Sequence, residues 1–150
     1  MDINDYSNPN KIERYSFLWS EARLIIAAVA LLLGGVPVLR FLLPIQVLSG
    51  LVGLILTLTW ILSGVASGYL LYRWTKNDRM LFQGRERRDT ISFLVSVISG
   101  LNLGITGLLG TNIGMSIASG RLVFAAVALI YLWVAVHLYR RWKASGEKVF

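Results

Sequence analysis

Between residues 24 and 139 a single long polar stretch breaks the apolar run, from Tyr72 to Thr90 (YRWTKNDRMLFQGRERRDT). It restricts what the chain can fold into more than any other feature. Its Arg73, Lys76, Arg79, Arg85, Arg87 and Arg88 outnumber Asp78, Glu86 and Asp89, and an excess of Lys and Arg in a short loop marks the cytoplasmic face of a membrane protein. The apolar stretch on each side is long enough to cross a bilayer and return. The expected fold is therefore an all-α integral membrane protein with four transmembrane helices arranged as two hairpins.

Composition agrees. The chain has 150 residues, is 55% hydrophobic and only 15% charged, against roughly a quarter charged in soluble domains. The net charge of +7 does not point to nucleic acid, because the cations sit at the ends of apolar runs and not on a face interleaved with stacking aromatics. With no cysteine, disulfides, thiolate catalysis and thiolate metal sites are excluded. His137 is the only histidine and makes no metal cluster alone, so neither a metal nor a cofactor is expected.

A single membrane domain is expected over residues 1–150. Residues 1–16 form a cytoplasmic segment with a helix start at Asn8 or Asn10, followed by Glu13, and Ile12, Tyr15, Leu18, Trp19 and Ala22 recur from there at helical spacing, as in a short amphipathic stretch lying at the interface. The first span covers about 17–43, with no small-x-small cleavage site after it, so it reads as retained. Gly34, Gly35 and Pro37 place a kink or early helix end within it, and Arg23 and Arg40 either snorkel or lie inside the bundle. Pro44 turns the chain back. The second span follows at 45–72, the basic loop at 73–89, the third span at 90–118, the fourth at 121–139 and a cytoplasmic tail at 140–150.

Thirteen of the fifteen Lys and Arg residues fall on the side of the central loop, and only Arg40 and Arg121 oppose them. Both termini are accordingly expected in the cytoplasm. Ser16-Phe-Leu-Trp-Ser20 recurs as Ser92-Phe-Leu-Val-Ser96, and Leu32-Leu33-Gly34 as Leu108-Leu109-Gly110, at one common offset. Two spans per unit would make this a parallel internal repeat.

The third span carries an unusual density of small residues. Gly100, Gly104, Gly107, Gly110 and Gly114 join Gly64 and Gly68 of the second span as candidate helix-packing positions. Ser92, Ser96, Ser99 and Thr106 share one helical face, which suits either a polar seam or the lining of a pore. Arg85, Arg87, Arg88, Arg140 and Arg141 are candidates for contact with anionic lipid headgroups on the cytoplasmic side.

No catalytic residue is assigned. His137 is expected to have no carboxylate near it in the same plane of the membrane, so no triad or metal-water arrangement is legible, and the chain is read as a non-enzyme. No Asp, Glu or Lys occupies the middle of an expected span, which argues against ion coupling. The expected role is that of a non-catalytic accessory, assembly or scaffold subunit acting through helix contacts with other membrane subunits or with itself. The alternative is a homo-oligomeric channel or small uncoupled transporter whose conduit is lined by the third helix. Nucleic acid is not an expected partner.

Overall fold

The computed structural model describes residues 9–42, 49–117 and 120–150. Among them the chain forms α1 (Pro9–Leu32), α2 (Val38–Leu42), α3 (Ser49–Lys76), α4 (Arg87–Leu109), α5 (Ile113–Ile117) and α6 (Arg121–Ala144). Four helices are long and apolar enough to cross a membrane: Asn10–Leu32, Ser49–Lys76, Arg87–Leu109 and Arg121–Ala144. Each rises beyond the roughly 30 Å of a hydrocarbon core at about 1.5 Å per residue. The turn expected at Pro44, residues 1–8 and the end of the expected third span at residue 118 lie outside the described residues.

The helix limits differ from the expected spans, and the differences have local causes. Helix α1 begins at Pro9, where a helix start is expected at Asn8 or Asn10, and continues unbroken past residue 17 to Leu32. It stops there because Gly34 and Gly35 adopt left-handed φ values of 81° and 84°. The Gly35 N–H then donates to Ala30 O at 2.9 Å and the Gly34 N–H to Leu31 O at 3.0 Å, the paired bonds of a Schellman ending. Helix α4 likewise stops at Leu109, not 118, with Gly110 at φ 71° donating to Thr106 O. The short helices α2 and α5 follow these breaks.

The most extensive helix packing is α3 with α4 and α1 with α6, with α1 also against α3 and α4 against α6. Glycine explains the first pair. A Cβ added at Gly64 would meet the Gly104 Cα at 2.6 Å, and one at Gly107 would meet Thr57 O at 3.0 Å. The two backbones therefore touch, which only small residues permit. Ser67, Gly64 and Ile61 of α3 face Gly100, Gly104 and Gly107 of α4 in opposite chain order, so the pair is antiparallel.

The buried core lies at the end that carries the central loop. Phe17 of α1, Leu70 of α3, Phe93 and Val97 of α4, and Leu138 and Trp142 of α6 cluster there with Leu81, Phe82 and Val149. Phe17 approaches Trp142 and Phe82 with ring centroids at 5.6 and 5.9 Å. The loop and the tail are tied together, since the Phe82 N–H donates to Val149 O at 2.8 Å and the backbone N–H of Phe150 donates to Glu13 Oε1 at 3.3 Å. Lys143 and Arg14 both contact Glu147 beyond the end of α6. The hydrogen bond from Lys143 holds the Glu147 carboxyl below its ordinary range, and Arg14 adds to this.

Candidate functional site

On α1, Trp19, Arg23, Ala27, Ala30 and Leu31 recur at intervals of three or four and so project to one side. They line a cavity of about 430 Å³ whose other walls are Thr59, Trp60 and Ser63 of α3, Ser99, Asn102 and Leu103 of α4, and Phe124, Val127 and Tyr131 of α6. That volume falls within the roughly 300–1,000 Å³ typical of small-molecule pockets. The far end is walled by Gly35, Pro37, Asn112 and Met115, the segments where α1 and α4 break. Non-helical backbone within a membrane bundle is tolerated where it is buried in protein or lines a cavity. The breaks and the cavity thus belong together.

Arg23 closes the cavity at the end nearer the core. It is only 4% exposed. Its Nη1 donates to Ser99 Oγ at 3.1 Å, and its Nη2 donates to Ser96 O at 2.8 Å and Ser96 Oγ at 3.4 Å. Among the described residues the Nε has no hydrogen-bond partner. Gly100 makes room for the guanidinium, since a Cβ there would lie 3.0 Å from Arg23 Cζ and would also collide with the Ser67 hydroxyl. All these acceptors are neutral. The nearest acid in sequence, Glu21, is itself buried, and neither of its carboxylate oxygens has a hydrogen-bond partner.

Polar groups recur at the far end. Asn102 Nδ2 donates to Asn112 Oδ1 at 2.9 Å, the Gly114 N–H donates to Asn102 Oδ1 at 3.3 Å, and the Met115 N–H donates to Asn112 Oδ1 at 3.1 Å. The asparagines thereby satisfy amides left free by the break between α4 and α5. Trp19 Nε1 donates to Ser63 Oγ at 3.1 Å, closing the α1–α3 side. Between these polar groups most of the wall is apolar.

A second polar cluster stands apart from the cavity. Asp89, fully buried in the first turn of α4, accepts from Arg141 Nε at 2.8 and 3.1 Å and lies 2.8 Å from His137 Nε2. Trp133 stacks on the His137 ring at 5.3 Å. The expectation that His137 has no carboxylate beside it is therefore corrected: the fold brings Asp89 to it from 48 residues away. No local spacing in the chain announces that pairing.

The candidate residues fall into separate places. Gly64, Gly100, Gly104 and Gly107 lie in the α3–α4 contact. Gly68 and Gly110 have nothing within 4 Å of an added Cβ, and Gly114 lies against the two asparagines. Ser96 and Ser99 hold Arg23, Ser92 is buried without a hydrogen-bond partner, and Thr106 donates to its own helix at Asn102 O. Arg85, Arg87, Arg88 and Arg140 are exposed, whereas Arg141 is engaged by Asp89 and Glu86. Among the described residues no group of His, Cys, Asp or Glu is placed to hold a metal.

Arg23 and Trp19 were missed as site residues because the first span was expected to begin near residue 17. A helix that starts at Pro9 puts Glu21 and Arg23 past its middle, which corrects the expectation that no Asp or Glu lies in the middle of a span. The signal was present in the helix-start pattern near Asn8 and Asn10, read as a separate interfacial segment. Comparison of the chain with protein-family models, curated proteins and solved structures finds no match in any of the three.

Proposed function

We propose that the chain is a non-catalytic membrane protein that takes a largely apolar small molecule from the bilayer into the cavity among α1, α3, α4 and α6, acting as a small carrier. The observation that carries this reading is the cavity itself, about 430 Å³ and walled in part by the two helix breaks. It lies within one chain, so the carrier needs no ring of copies. The third span contributes Ser99, Asn102 and Leu103 to its wall, as a conduit-lining helix would.

Ala30→Trp tests this. The indole would occupy cavity volume without touching the α3–α4 contact. Native mass spectrometry of gently purified protein is expected to find a small apolar molecule retained by the wild type and lost from the variant. Equal recovery from both, or none from either, would remove the carrier reading.

The second reading is the accessory, assembly or scaffold subunit. Gly50, Gly53 and Gly68 of α3 favour it, because nothing among the described residues lies within 4 Å of a Cβ added at any of them, leaving room for another helix to approach. Foreign subunits recovered in fixed ratio would support it. Exposed Arg85, Arg87, Arg88 and Arg140 suit anionic headgroups at the loop end.

The finer topology belongs to the same proposal: two hairpins, both termini and the central loop in the cytoplasm, and a short interfacial stretch at the start. Tyr15, 60% exposed near the start of α1, suits an interfacial position. A parallel repeat is supported by the like burial of Phe17 and Phe93, and of Ser20 and Ser96, at the repeat offset. The chain has no cysteine, so single cysteines report cleanly. Arg85→Cys is expected to react with an impermeant maleimide only after the membrane is opened, and Thr111→Cys from outside. The reverse pattern would invert the topology.

A further inference from the structure

We infer that the ligand of this cavity is a single-chain amphiphile with an anionic head, carboxylate or phosphate, docked on Arg23 with its hydrocarbon tail directed toward the helix breaks. The inference rests on the reading of the cavity as a ligand site. It adds the ligand's charge, its orientation and the residue that recognises it.

The charge follows from what surrounds Arg23. A guanidinium carries five N–H donors and cannot give up its proton. Here it is 4% exposed, bonded only to neutral serine oxygens, and leaves its Nε without a partner. Burying a cation inside a membrane bundle is costly unless a counter-charge or water-filled space meets it. Glu21 acts on Arg23 only through space and makes no direct ion pair with it: two residues along an α-helix it points about 200° away, and among the described residues neither carboxylate oxygen has a hydrogen-bond partner. A group that pairs directly with Arg23 has its access through the cavity that Arg23 lines. Ser96 and Ser99 hold the guanidinium in place beforehand, which lowers the ordering cost of binding.

The tail direction follows from the α1 stripe. From Arg23 to Leu31 the helix rises about 12 Å, and along that course the cavity is walled by Ala27, Ala30, Leu103, Val127 and Phe124. An apolar tract with a cation at one end matches a molecule with one head and one tail. A cavity of about 430 Å³ suits one chain in preference to the two chains of a bilayer phospholipid.

The test uses the intact protein in phosphatidylcholine nanodiscs with two photoactivatable probes, palmitic acid carrying a diazirine in its chain and the corresponding alcohol. The acid is expected to label cavity residues of the wild type, and Arg23→Gln to reduce that labelling about tenfold, the scale of one charge-assisted hydrogen bond. The alcohol should label wild type and variant equally, which shows that Arg23→Gln is folded with its cavity open. Lysophosphatidic acid should compete with the acid, while inorganic phosphate should not. If acid and alcohol label alike and the variant changes neither, the anionic head is wrong while the cavity reading stands. If neither probe reaches cavity residues of the wild type, both readings fall. Competition by diacyl phosphatidic acid but not by the single-chain form would overturn the single-chain assignment.

Discussion

Gly104→Leu is expected to lower the unfolding free energy by about 3 kcal/mol, the upper part of the range for forcing extra atoms into a closed packing. The measurement is a reversible SDS titration of the purified protein in micelles. The reason is steric: even a Cβ at Gly104 would lie 2.7 Å from the Gly64 Cα, and a backbone atom cannot swing aside as a side-chain tip does. Helices α3 and α4 must separate, and with them Ser96 and Ser99 leave Arg23. Gly64→Leu should cost as much, because it meets the same contact from the other side. Gly68→Leu is the control, since open space lies beyond it, and it should change stability by less than about 0.5 kcal/mol. The mass of the solubilised particle separates two uses of these glycines. Internal packing predicts lost stability at unchanged mass. A drop in mass at unchanged stability would show that Gly64 and Gly104 serve contact between chains instead.

The four membrane-spanning helices were legible because apolar length against bilayer thickness is a local signal, read within each segment. Helix ends were partly legible. Gly34, Gly35 and Pro37 announced the end of α1, because left-handed φ at glycine and the missing proline N–H act on their own neighbourhood. Gly110 carried the same signal and was read as one more packing glycine, so α4 was expected to run on to residue 118. The start of α1 at Asn8 or Asn10 was legible as well, although the span itself was expected only from about residue 17. Lys11, Glu13 and Arg14 dilute the apolarity of its first turns, although Glu13 is paired with Arg73 by two hydrogen bonds at 2.9 and 3.1 Å and a paired charge does not prevent helix. The late span start obscured the site, because it left Arg23 near a span end, where snorkelling to water stands beside the other expected place, inside the bundle, which Arg23 occupies. The Ser96 and Ser99 face was visible as a stripe, but its occupant comes from a helix 73 to 76 residues away. Periodicity assigns a residue to a face and leaves open what meets it.

Asp89→Ala is expected to be the largest polar loss in the molecule, at about 2–3 kcal/mol, and its size can be bounded from both sides. Asp89 is fully buried and receives charge-assisted bonds from Arg141 and a contact from His137; a hydrogen bond involving a charged group contributes about 1.5–3 kcal/mol. Placed in the first turn of α4, its negative charge also meets the positive end of the helix dipole, worth about 0.3–1 kcal/mol. The full cost of stranding a buried charge, about 3–5 kcal/mol, should not be reached. The Arg141 side chain remains 36% exposed and keeps Glu86 at 3.2 Å, so the cation retains both water and a counter-charge. Double-mutant cycles on Arg141 resolve the two partners. The Asp89–Arg141 coupling should exceed about 1.5 kcal/mol, while Glu86–Arg141, with both side chains more than a third exposed, should stay below about 1 kcal/mol. His137→Ala removes one contact and leaves both Arg141 bonds, so it should cost less than either change at Asp89 or Arg141. If the Glu86 coupling proves the larger, burial does not govern this cluster, and the arginine is held by the solvent-facing acid while Asp89 merely fills space beneath it.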